Sequence, residues 1–70
     1  MKLRLKKTNE KSYQFPIYQV VGFEGVTVNR TAEAFTQMIE VNINGKIQML
    51  ECSLKAFKES GREWLKEQGL

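Results

Sequence analysis

The chain has no histidine, one cysteine, one proline and one tryptophan among its 70 residues. Without histidine there is no imidazole for acid-base work and no Cys-His or Ser-His nucleophile pair. A single cysteine excludes an internal disulfide and a Cys/His zinc site. Glu24, Glu33, Glu40 and Glu51 are scattered over separate turns and strands, so no two of them pair into acid-base geometry. The sequence therefore predicts a non-enzymatic protein with no cofactor and no metal.

Long apolar runs are missing as well. The longest, Val20-Val21-Gly22-Phe23, is broken by glycine and falls far short of the roughly 20 residues that span a bilayer. The basic start, Met1 to Lys7, is not followed by the apolar stretch of about 7–15 residues that a signal peptide carries. The expectation is a cytoplasmic protein that does not enter a membrane, and a lone Cys52 suits that reducing compartment. No internal repeat, phosphate-binding glycine loop, EF-hand spacing or low-complexity segment is present.

What remains is a single small domain over residues 1–70, with 41% hydrophobic and 27% charged residues. A chain this size buries only about 60% of the surface that its unfolded form exposes. So little chain leaves room for a homodimer that shares core or edge strands.

Leu3 and Leu5 alternate with Lys2, Arg4 and Lys6, the period-2 pattern of a half-buried first strand with a basic outer face. Thr8 to Ser12 lacks any apolar residue and reads as a loop. Tyr13, Phe15 and Ile17 alternate next, and Pro16 places a second strand at an edge or from about Ile17 to Val21. At Asn44-Gly45 two registers compete. A two-residue loop would put Ile47 and Met49 on the face opposite Ile39 and Val41. A three-residue loop, Ile43 to Gly45, would put all four on one face, and core economy favours it. The same logic at Phe23-Glu24-Gly25 pairs Val20 with Val28 and leaves Tyr18 and Val26 on that face. Asn29 to Glu33 reads as a turn into a strand carrying Phe35, Ile39 and Val41, with a short helix capped by Thr31 as the other reading.

The last segment is helical. Leu54, Phe57, Gly61, Trp64 and Leu65 form one stripe, with Ser53 as N-cap, Cys52 and Phe57 at staple positions and Gly69 at the end. Glycine in mid-helix costs about 1 kcal/mol against alanine. Gly61 therefore implies either a bend there or a neighbouring strand passing close. The predicted fold is α+β: a small antiparallel meander of four or five short strands packed by one C-terminal helix.

The net charge of +3 is uneven. Residues 1–12 carry a net +4, residues 13–51 a net −2 and residues 52–70 a net +1. A basic strand face is one way to grip phosphates, and the plainer reading is that lysines on an edge strand prevent edge-to-edge aggregation. Lys55 and Lys58 in the first turns of the helix suit an anionic ligand; the plainer reading there is a solvated face. Two functions follow. The favoured one is a small basic binding module, nucleic-acid-binding or regulatory, with Lys2, Arg4, Lys6, Lys7, Lys55 and Lys58 on the phosphates. The alternative is a protein-protein interaction module or inhibitor of a larger protein, using an edge strand or a turn aromatic among Tyr13, Phe15 and Phe23.

Overall fold

The alternating segments resolve into strands in a computed structural model that describes residues 2–31 and 37–70. These residues form β1 (Leu5–Ser12), β2 (Phe15–Val20), β3 (Val26–Arg30), β4 (Ile39–Ile43), β5 (Lys46–Leu50) and α1 (Leu54–Glu67). The strands make one antiparallel sheet in the order β1-β2-β3-β4-β5, so each pairs with its neighbour in sequence. One helix packs on this meander, and the fold is α+β as the sequence predicts. Val20, Val26, Val28, Ile39 and Val41 point to the helix side and bury with Leu3, Phe57 and Leu65.

Thr8 to Ser12 is not a loop. It is the outer half of β1, and the chain reverses at Tyr13-Gln14, where both residues have positive φ (54° and 67°). β3 pairs with β2 only at Tyr18 and Gln19, so the β1–β2 hairpin runs past the rest of the sheet. A strand outside the core needs no apolar side chains, and this one has none to betray it. Thr8 makes use of its polarity by donating its hydroxyl to the Ile17 carbonyl at 2.7 Å. Pro16 sits in the same overhang, where its missing N–H deprives β3 of nothing.

The two inner hairpins depart from their expected registers by different amounts, and only one departure matters. β2–β3 pairs Tyr18 with Val28 rather than Val20 with Val28, a shift of two residues. A shift of two preserves the faces, and Tyr18, Val20, Val26 and Val28 stay together. β4–β5 pairs Val41 with Gln48 and Ile43 with Lys46, one residue away from the three-residue loop. Asn44 (φ 51°) and Gly45 (φ 92°) form a two-residue turn of the I′ type. A shift of one turns a strand over. Ile47 and Met49 therefore lie on the open face, 55% and 46% exposed.

The helix follows its stripe. Ser53 Oγ accepts the Ala56 N–H at 3.0 Å, and Phe57, Gly61 and Leu65 are buried. The helix is continuous through Ser60-Gly61. Gly61 answers to a close crossing instead: a Cβ there would lie 2.9 Å from Leu3 Cδ1 and 2.8 Å from Phe57 Cδ1. The strand expected through Phe35 falls on residues 32–36, outside the described residues; β4 begins at Ile39. Thr31 donates its N–H to the Met38 carbonyl at 3.3 Å, closing the neck of that connection.

Candidate functional site

The segment before β1 and the start of α1 are fastened together. The Leu3 side chain is buried under the helix, and its N–H donates to the Lys58 carbonyl at 2.7 Å. This tie brings Lys2 alongside α1, with Nζ 3.9 Å from Glu59 Oε1. Both side chains are at least half exposed, so the pair contributes little to stability.

A groove of about 480 Å³ opens at this junction. Leu5, Tyr18 and Leu54, each partly buried against the core, give it an apolar floor. Lys2, Lys55 and Lys58 stand around it, with Glu59 among them. The capped end of α1 supplies Lys55 and Lys58 one turn apart on one side, and no acidic residue occupies the first turn. Lys7 is the cross-strand partner of Tyr18, and directly opposed residues share a face. It therefore shares the helix-side face with Tyr18, outside the residues that line the groove.

Of the six side chains singled out in the sequence, the structure gathers Lys2, Lys55 and Lys58 at the groove and sets Lys7 across from Tyr18. Arg4 and Lys6 part from them. Lys6 pairs with Gln19, and the Arg4 carbonyl accepts the Val21 N–H at 2.9 Å, which sets both residues on the open face. Sequence reasoning missed Leu5, Tyr18, Leu54 and Glu59 as members of the site. Only the β1–β2 register joins Tyr18 to the lysines, and no local pattern carries that register.

Phe23 is not a free aromatic anchor. It packs against the core, and the Arg62 guanidinium lies over its ring, 5.5 Å from the centroid. Tyr13 is half exposed at the tip of the β1–β2 hairpin. Among the described residues no three His, Cys, Asp or Glu side chains converge as metal ligands, and no helix is long and apolar enough to cross a membrane.

The chain matches no protein-family model, and no curated protein or solved structure is significantly similar to it.

Proposed function

We propose that the protein is a non-enzymatic nucleic-acid-binding module that holds a strand across the groove between β1 and α1. The observation that supports this reading is the meeting of two separate basic clusters, Lys2 and Lys7 from the first strand region and Lys55 and Lys58 from the helix, around Tyr18. Lysines track phosphates, and an aromatic on the floor offers a face for a base. The Lys2–Glu59 contact is exposed and weak, so a phosphate displaces it at small cost.

The test is fluorescence anisotropy with labelled single-stranded and duplex oligonucleotides over a salt series. Four phosphate contacts give a slope of log K against log salt of about −0.7 per contact on a single strand. Replacing Lys55 and Lys58 with alanine should flatten that slope by two contacts, and Tyr18→Leu should weaken single-strand binding at every salt concentration. The pair Arg4→Ala and Lys6→Ala should change the slope least, because these residues face away from the groove. Failure to bind any oligonucleotide at low ionic strength overturns this function and leaves a protein partner as the occupant.

A further inference from the structure

The two edges of the sheet are built differently. β1, at one edge, carries Lys6, Lys7, Glu10 and Lys11, and its pairing with β2 is irregular between Lys7 and Lys11. Charge and irregularity are the usual protections of an exposed edge. β5, at the other edge, is regular along its length and presents Ile47 and Met49 to solvent. Such an edge is a template for another strand.

From this geometry we infer that β5 pairs antiparallel with β5 of a second copy of the chain, in the register that sets Ile47 opposite Met49. Backbone hydrogen bonding restricts the register to pairings between outward-directed residues, and the apolar side chains choose among them. A two-residue turn closes on a hydrogen-bonded pair, here Ile43 with Lys46, and such pairs alternate along a hairpin. Lys46, Gln48 and Leu50 thus direct their N–H and C=O groups to β4, whereas Ile47 and Met49 direct theirs outward. Pairing Ile47 with Met49 of the second copy, twice by symmetry, satisfies all four outward groups of each of the two strands' central residues. The same register places the four apolar side chains in one cluster on the open face.

Charge supports a copy of the same strand in this direction. β5 begins with Lys46 and is followed by Glu51. Antiparallel self-pairing sets Lys46 opposite Leu50 and keeps the two lysines at opposite ends of the seam, whereas parallel pairing in register would stack Lys46 on Lys46 and Glu51 on Glu51. A two-fold axis normal to the sheet keeps both helices on one side. The lysine grooves, at the far edge of each sheet, stay open.

The experiment uses protein freed of nucleic acid by a high-salt wash, so that a bridging strand cannot mimic a dimer. Sedimentation equilibrium should show a monomer-dimer equilibrium, and the Ile47 and Met49 amides should exchange more slowly as protein concentration rises. Met49→Lys should shift the chain to monomer with native circular dichroism. Ile47→Pro, which removes one outward N–H, should do the same; at an edge it leaves the β4 pairing intact. A monomer up to millimolar concentration overturns the inference. So does a dimer in which these two amides exchange as fast as in the monomer.

Discussion

Leu3 crosses α1 at Gly61, so close that a Cβ on the glycine would stand 2.9 Å from the leucine methyl. Alanine at an exposed mid-helix position gains about 1 kcal/mol over glycine. Here the added carbon meets two side chains that are themselves buried, and overpacking of a filled core costs about 1–3 kcal/mol. Gly61→Ala should therefore lower the urea midpoint, and Gly61→Val should lower it further. The effects should be coupled: Leu3→Val should cost less in the Gly61→Ala background than alone. An additive pair of midpoint shifts would dissolve the crossing.

The glycines of the β2–β3 turn make a sharper comparison. Gly22 and Gly25 both have positive φ, 90° and 81°, so alanine is strained at either. A Cβ at Gly22 would meet open space, whereas one at Gly25 would collide with the Asn44 side chain. Asn44 also donates its N–H to the Gly25 carbonyl at 2.9 Å. Gly25→Ala should thus destabilise more than Gly22→Ala, and Asn44→Gly should recover the difference. Equal urea midpoints for the two alanine variants would contradict the contact.

Gly45 carries its own penalty. Its φ of 92° lies in the left-handed region, where an ordinary residue costs roughly 1–2 kcal/mol and a β-branched one more. Gly45→Val should be markedly less stable than Gly45→Ala in urea melts.

Trp64 packs edge-on against Phe57, with centroids 6.3 Å apart and planes at 67°. Its emission should be blue-shifted in the native protein and move red on unfolding. With one tryptophan in the chain, a native spectrum as red as the unfolded one would detach this part of the helix from the sheet.

Burial raises the Cys52 thiol above its ordinary value of 9.0. The folded protein then holds that proton more tightly than the unfolded chain, so the stability it contributes is full below pH 9.0 and declines as pH rises beyond it. The urea midpoint of the native chain should fall relative to that of Cys52→Ala only on the alkaline side. Lysine titration affects both proteins alike and cancels in the comparison. A difference that is flat through the alkaline range would mean a solvated thiol.

The helix was fully legible because everything that defines it is local: a cap, a stripe and a terminal glycine. Gly61 leaves a bend and a close neighbour as alternatives in the sequence, and only the packing of Leu3 decides for the neighbour. The sheet was legible in its number of strands and less so in its registers. Asn44-Gly45 names a turn but not its length, and core economy picks the wrong one, since the structure leaves Ile47 and Met49 on the open face of an edge strand. The β1–β2 turn was invisible because Tyr13 and Gln14 are not turn formers. In the candidate site, Lys55 and Lys58 could be read from their place in the helix, while Tyr18 joins them only through tertiary packing and the β1–β2 register, a relation between strands that no single segment encodes.

Because each strand pairs with the one just before it, the sheet can assemble by successive hairpins with short sequence separation, which lowers the loop-closure cost of its folding. The tie from Leu3 to Lys58 breaks this order by linking the first residues to nearly the last. During synthesis a finished meander would hold Val20, Val26, Val28, Ile39 and Val41 uncovered until α1 has left the ribosome. The vulnerable interval for this sheet is thus the one between completion of β5 and emergence of α1, and a pause in translation before Ser53 would lengthen it.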